Sequence, residues 1–177
     1  PFSQLVEYLE PRSESAGIVY CLSRSRVDKV ASQLVEAGFQ AAPYHAGLSS
    51  EERKKTQDDF LKDDTRIIVA TVAFGMGIDK SNVRYVVHYD IPKNIESYYQ
   101  ETGRAGRDGL PAEALLLFSY GDVAVARGLI EKTSNSEHMR IELHKLGAMV
   151  GFAEALSCRR RILLGYFGKR LQEDCGN

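Results

Sequence analysis

The sequence has few cysteines, no surplus of charge and no long apolar run. Its 177 residues include three cysteines and carry a net charge of −1. An odd cysteine count without a secretory signal in the opening PFSQLVEYLE argues against a disulfide framework and indicates a reducing compartment. The apolar runs are too short for a transmembrane helix. Because the chain is not broadly basic, any nucleic acid must meet a local positive patch.

The sequence does contain an alternation of apolar strands and helices. Hydrophobic residues make up 44% of the chain and charged residues 27%, which is typical of a globular protein with a core. The predicted strands are 17–21, 66–71, 83–90 and 112–119, with a further extended piece at 41–47, and the predicted helices are 25–38, one from 49, and 94–102. This alternation predicts an α/β domain, residues 1–121, with a parallel sheet covered by helices on both faces.

The character of the sequence changes after residue 121. No strand-like run follows, and SNSE at 134–137 has the spacing of a capping box, which predicts a helix start at Ser134. Apolar residues then continue at helical spacing, and CRRRILLGYFGKR is predicted as a further basic helix. We therefore predict a second, helical region at residues 122–177.

Polar segments follow the predicted strands, at the end of a parallel sheet where ligands usually bind. They are CLSRSR, YHAGL and ATVAFGMGIDKS, joined by QETGRAGRDG at the end of a predicted helix. This last segment holds Arg104 and Arg107 among three glycines, a composition suited to phosphate. The alternative is that both arginines form surface salt bridges.

No phosphate-binding loop accompanies these arginines. A P-loop needs glycine immediately before its Lys-Ser pair, and in GMGIDKS that position is Asp79. The dinucleotide-binding pattern also fails, because Lys80 stands where its third glycine belongs. The arginines therefore have no phosphate cradle in their own chain.

Several stretches resemble one family, the RecQ-type DNA helicases of superfamily 2. QETGRAGRDG resembles helicase motif VI, ATVAFGMGIDK resembles motif V and YCLSRSRVDKVA resembles motif IV; FAEALSCRRRILLGYFG is similar to bacterial RecQ sequences. The resemblance covers residues from about 17 to 177. It implies a second RecA-like domain followed by the start of a zinc-binding subdomain, truncated here. A start at Pro1 rather than Met fits the expectation of a fragment whose first RecA-like domain is absent.

The resemblance also implies an activity. The complete protein would be an ATP-dependent DNA helicase, unwinding 3′ to 5′ in DNA repair and recombination, while the fragment alone would be inactive. ATP and Mg²⁺ would be bound mainly by the first RecA-like domain, and the partners would be single-stranded and partly duplex DNA. The protein would be bacterial, cytoplasmic and nucleoid-associated. Two alternatives are a small-molecule α/β enzyme and a non-catalytic nucleic-acid-binding module.

The nucleotide-site residues implied by the resemblance lie in motifs V and VI. Arg107 would be an arginine finger, Arg104 a partner of the γ-phosphate, and Gln100 a polar positioning group. Asp79 would contact the ATP ribose. The alternative for Asp79 is a helix cap or turn residue.

The DNA and zinc residues implied by the resemblance lie elsewhere in the chain. Ser23, Arg24 and Thr71 would meet DNA phosphates, whereas an N-cap with a solvated arginine is the alternative for the first two. Cys158 and Cys175 would supply half of a four-cysteine zinc site. Of the remaining candidates, Cys21 and His88 are predicted to be core, His45 is either near DNA or structural, and Phe74 either packs between motifs or contacts a base.

Overall fold

The computed structural model describes residues 1–72, 74, 80–132 and 135–176. Five strands form one sheet: β1 Ala16–Tyr20, β2 Ala41–Tyr44, β3 Ile67–Ala70, β4 Val83–His88 and β5 Glu113–Leu116. Their order is β2-β3-β1-β4-β5, and every neighbouring pair is parallel. The predicted parallel α/β sheet is thus confirmed, and the extended piece at 41–47 is the edge strand β2.

The first four helices alternate with the strands along the chain, and the last three follow β5 without further strands among the described residues. They are α1 Phe2–Leu9, α2 Arg24–Glu36, α3 Ser50–Leu61, α4 Ile95–Thr102, α5 Tyr120–Glu131, α6 Ser136–Glu154 and α7 Arg159–Tyr166. A complete capping box begins α3, since Ser49 and Glu52 satisfy each other's backbone amides. No helix within the described residues is both long and apolar enough to cross a bilayer.

The sheet is buried on both faces because side chains alternate along each strand. Val19, Val69 and Val87 face α1 and α2, whose Leu5 and Leu34 are fully buried against them. On the other face, apolar side chains of the same strands pack with Phe60 of α3 and with Phe74. This double burial explains why the central strands are almost entirely apolar.

A glycine at the start of β1 permits close packing across the sheet. The ring of Tyr85 in β4 lies so near Gly17 that a Cβ atom there would be 1.9 Å from the ring. Tyr85 is fully buried, and its ring meets Tyr8 edge-on at a centroid distance of 5.8 Å. Any larger residue at position 17 would displace this ring.

The chain divides into two compact units. The first comprises residues 1–91 and 100–117, and the second comprises 92–99 and 118–177. In the second unit, Leu146, Met149 and Phe152 of α6 are buried, and Phe152 packs on Tyr98 at a centroid distance of 5.0 Å. The boundary at residue 121 remains a prediction.

The start of α6 differs from the predicted capping box. Asn135 is the N-cap, and its side-chain oxygen accepts hydrogen bonds from the amides of Glu137 and His138, each at 3.0 Å. Ser134 itself lies outside the described residues. The prediction placed the cap one residue early because Asn135, an equally good capping residue, directly follows the serine.

Candidate nucleotide and nucleic-acid site

The arginine segment, residues 100–109, begins in the last turn of α4 and continues as a series of turns. The amides of Arg104 and Ala105 bond to the carbonyls of Glu101 and Thr102 at 3.2 and 3.1 Å. The amide of Gly106 then bonds to Val83 O, at the start of β4, at 2.9 Å. The segment therefore spans one sheet face from the carboxyl end of β4 to its amino end, rather than lying at the carboxyl ends alone as predicted.

Gly106 is required by the turn between the two arginines. Its φ is +68°, in the left-handed region that side chains disfavour. A Cβ atom there would also lie 3.0 Å from Leu110 O and 3.1 Å from the Cβ of Ala112. Both the conformation and the close approach restrict this position to glycine. The turn that they require defines the backbone position of the next residue, Arg107.

A buried polar pair anchors the first part of the segment. His88 Nε2 lies 2.7 Å from Glu101 Oε2, and the two side chains are only 1% and 8% exposed. Tyr20, at the end of β1, stacks on the His88 ring at a centroid distance of 5.5 Å. His88 is thus core, as predicted, but it also holds Glu101, at the start of the arginine segment, against the sheet. This role was missed, although a histidine ending an apolar strand in VRYVVHYD was a visible signal.

The two arginines differ in exposure. Arg104 is half-buried, whereas Arg107 and Gln100 are exposed. Burial, assisted by the charge of Glu101, raises the pKa of the Tyr20 hydroxyl, and the positive charges of Arg104 and Arg107 oppose this rise. Both guanidinium groups therefore lie near enough to Tyr20 to act on it electrostatically.

Phe74 belongs to the core and not to a binding surface. It is 1% exposed and packs edge-on against Tyr44 and Phe60, at centroid distances of 4.7 and 5.9 Å. Tyr20 donates its hydroxyl hydrogen to Phe74 O at 3.1 Å. The alternative of a direct base contact is therefore wrong for this structure. Asp79, in the same motif, lies outside the described residues.

The predicted DNA residues stand at the carboxyl edge of the sheet. Ser23 is the N-cap of α2, accepting a hydrogen bond from the Arg26 amide at 3.2 Å, and Arg24 is exposed beside it. Thr71 directly follows β3, the neighbour of β1, and its amide bonds to Tyr44 O at 3.3 Å. The capping role of Ser23 is therefore present, while its contact with DNA remains a prediction.

A buried carboxylate, which sequence reasoning missed, links the segment after β1 to the start of α2 at this edge of the sheet. Asp90, 3% exposed, accepts a hydrogen bond from the Leu22 amide at 2.8 Å and pairs with Arg26 at 3.2 Å. An open recess of about 540 Å³ lies alongside, with Ser23, Arg26, Lys29 and Tyr89 among its lining residues. An aspartate directly beyond a buried strand, as in VVHYD, is the pattern that could have identified it.

His45 has a complete set of structural partners. Its Nδ1 accepts a hydrogen bond from the Gly47 amide at 3.1 Å, so its Nε2 donates to Asp28 at 2.8 Å. The side chain is 7% exposed. Of the two interpretations left open for YHAGL, the structural histidine is the one that the geometry supports.

Cys158 and Cys175 lie together in the second unit. Their Sγ atoms are 3.4 Å apart, and the Cys175 amide donates to Cys158 Sγ at 3.5 Å. This and neighbouring backbone amides lower the pKa of Cys158. Two thiolates on a tetrahedral zinc stand about 3.8 Å apart, given Zn–S bonds of about 2.3 Å, so the pair fits two zinc ligands. Across the described ranges, no group of three or more His, Cys, Asp or Glu residues could hold a metal.

Comparison with known families assigns both parts of the chain. The helicase conserved C-terminal domain family matches residues 1–109, and the RecQ zinc-binding family matches residues 120–177. Among solved structures, a DEAD box protein from Methanococcus jannaschii is 30% identical, with a TM-score of 0.62 over 75% of this chain and 37% of that one. The RecA-like fold is thereby confirmed.

Curated relatives match over most or all of the chain. ATP-dependent DNA helicase RecQ of Haemophilus influenzae is 48% identical over 100% of this chain and 29% of its own length. The Bacillus subtilis protein of the same name is 46% identical over 96% and 29%. RecQ-like DNA helicase BLM of Xenopus laevis is 48% identical over 87% and 12%. The chain thus spans less than a third of these relatives, and it belongs to the helicase conserved C-terminal domain family, in its RecQ-type form.

Proposed function

We propose that this chain acts as the second RecA-like domain of an ATP-dependent DNA helicase that unwinds 3′ to 5′. The observation that carries the proposal is the arginine segment, which presents Arg104 and Arg107 on a backbone fixed to the sheet. In the complete protein, the first RecA-like domain would hold ATP and Mg²⁺, and the segment would meet the phosphates from the opposite side. The names of the curated relatives support this assignment.

The exposed guanidinium of Arg107 would be the arginine finger. A guanidinium that approaches from outside the phosphate loop stabilises charge developing on the γ-phosphoryl group, an effect of about 10³–10⁵ in rate. Arg104, half-buried and closer to the core, would contact the γ-phosphate already in the ground state. Gln100 would orient polar groups beside them, and Asp79 would contact the ribose.

Single-stranded DNA would pass along the carboxyl edge of the sheet. Ser23, Arg24 and Thr71 would contact its phosphates through hydroxyl, guanidinium and backbone groups. Such contacts are independent of base sequence and weaken with salt. Opening and closing of the two RecA-like domains would then couple hydrolysis to movement along DNA, at the nucleoid if the protein acts in repair and recombination.

Zinc would be held in part by Cys158 and Cys175. Their proximity and the lowered pKa of Cys158 suit thiolate ligands, and the match to the RecQ zinc-binding family supports the metal's identity. When bound, zinc would supply a structural cross-link, while these two residues fix the path of the chain around α7.

The proposal is tested by comparing ATP hydrolysis in two proteins. Residues 1–177 alone should hydrolyse no ATP, whereas the full-length protein should do so and be stimulated by single-stranded DNA. A single-stranded RNA of equal length provides the control for nucleic-acid class. Hydrolysis by residues 1–177 alone, or a full-length protein that ignores DNA, would show the assignment to be wrong.

A further inference from the structure

Arg84, the second residue of β4, forms hydrogen bonds with the loop that carries Arg107. Its Nη2 atom lies 2.6 Å from each carboxylate oxygen of Asp108, the residue that directly follows Arg107. The same guanidinium donates to Pro111 O and to Asn82 O, each at 3.1 Å. One side chain thus joins two points of the loop, Asp108 and Pro111, to the start of a buried strand.

The loop backbone on both sides of Arg107 is bonded to the same place. The Gly106 amide donates to Val83 O at 2.9 Å, and the Asp108 amide donates to Ser81 O at 3.3 Å. The backbone is therefore fixed immediately before and after the arginine, while the Arg107 side chain is exposed.

The charges of this contact are balanced. The side chains of Arg84 and Asp108 are each 23% exposed. The hydrogen bond from Arg84 lowers the pKa of Asp108, so the pair is ionised at neutral pH. Nη2 alone contacts both carboxylate oxygens, while Nη1 and Nε contact Pro111 O and Asn82 O. A lysine ammonium, a single point charge, does not reproduce this planar set of contacts.

We propose that Arg84 and Asp108 are positioning residues for Arg107, acting through the loop backbone and touching neither nucleotide nor DNA. This inference rests on the proposed function, in which Arg107 meets the γ-phosphate. A displacement of about 1 Å in such a group can reduce turnover by roughly a hundredfold. The contact between Arg84 and Asp108 would therefore set the rate of hydrolysis without contributing to nucleotide affinity.

The chain offers a matched control pair in the same unit. Arg12 Nη2 contacts both carboxylate oxygens of Glu113, at 3.0 and 2.8 Å, with side chains 27% and 57% exposed. This pair has the same chemistry but binds no residue of the arginine segment. Arg84→Lys and Asp108→Asn are accordingly compared with Arg12→Lys and Glu113→Gln.

Two measurements test the positioning role. In the full-length protein, kcat for ATP hydrolysis should fall roughly ten- to a hundredfold in Arg84→Lys and Asp108→Asn, with KM and melting temperature matching the control variants. In residues 1–177, hydrogen exchange should become faster at the amides of Gly106 and position 108, and stay unchanged in the controls.

The outcomes separate this inference from the proposed function. Unchanged exchange at the loop amides, or a kcat no lower than that of the controls, overturns the positioning role. Loss of kcat only in parallel with melting temperature also overturns it, because that pattern describes a structural contact. A wild-type protein that hydrolyses no ATP contradicts the proposed function instead, and the exchange measurement then decides whether Arg84 and Asp108 fix the loop.

Discussion

At the scale of single residues, the two arginines of the arginine segment differ in their surroundings. Arg107 stands exposed between two fixed amides, whereas Arg104 is half-buried beside Tyr20. An exposed group can be reached by a phosphate supplied from outside, while a half-buried group is packed against the core. The two arginines should therefore differ in whether their removal affects turnover or binding.

Arg107→Ala in the full-length protein should lower kcat for ATP hydrolysis by about two orders of magnitude or more. Nucleotide and DNA affinities should change little, because the contact strengthens mainly in the transition state. Arg107→Lys should not restore activity, since a point charge lacks the guanidinium geometry. Arg127→Ala, on the exposed side of α5, is the control. A normally folded Arg107→Ala protein with full turnover would remove the finger assignment.

A second prediction for single residues concerns the stability that the buried His88–Glu101 pair contributes. His88→Leu leaves the Glu101 carboxyl group buried without its partner at 2.7 Å, which should cost about 1–3 kcal/mol of unfolding free energy. The exposed Glu113→Gln should cost less than about 1 kcal/mol. Urea unfolding of residues 1–177 measures both. Equal losses in the two variants would show that burial of the His88–Glu101 pair does not determine its importance.

The sequence was sufficient to name candidate site residues, but not to predict their contacts. The arginines, the three glycines around them and the lack of a P-loop pattern could be read directly from the sequence. The partners of Asp90 and His88 could not be predicted, because Arg26 and Glu101 are distant in sequence or on another element. Pairing of this kind depends on strand order, which alternation alone does not specify.

At the scale of elements, the strands were predicted better than their ends. β5 is limited to Glu113–Leu116, shorter than the predicted 112–119, and β4 ends at His88 rather than at residue 90. Apolar residues continue beyond both strands because they still pack against the core; Tyr89 and Leu117 are examples. Each also donates its backbone amide to the last residue of the neighbouring strand, to Tyr20 O and His88 O respectively, at 2.9 Å. Helix starts depend on single capping residues and are correspondingly easy to misplace.

The observed start of α6 can be tested directly. Asn135→Ala should destabilise the helix by about 1 kcal/mol, because two backbone amides lose their acceptor. Ser136→Ala, in the first helical residue, should cost only a few tenths of a kcal/mol. Thermal unfolding with helix content followed by circular dichroism distinguishes the two. Similar melting temperatures for both variants would contradict Asn135 as the N-cap.

At the scale of the molecule, zinc should bind weakly to residues 1–177. Two thiolates are half of a tetrahedral ligand set, so metal analysis should find well under one tightly bound zinc per chain. Cys158→Ser should abolish the residual binding, whereas Cys21→Ser, in the core of the first unit, should leave it unchanged. Stoichiometric zinc in residues 1–177 would mean that other ligands complete the site.

The central position of β1 has a consequence for how the chain folds. This strand pairs with β3 and β4, and its register joins Tyr20 to Ala70 on one side and to His88 on the other. On a ribosome, β1 would wait until residue 88 has emerged before both its edges are covered. Parallel pairing between distant segments also forms slowly. The first unit should therefore acquire its sheet late and in one step, and the arginine loop, bonded to the start of β4, should become ordered only after that step.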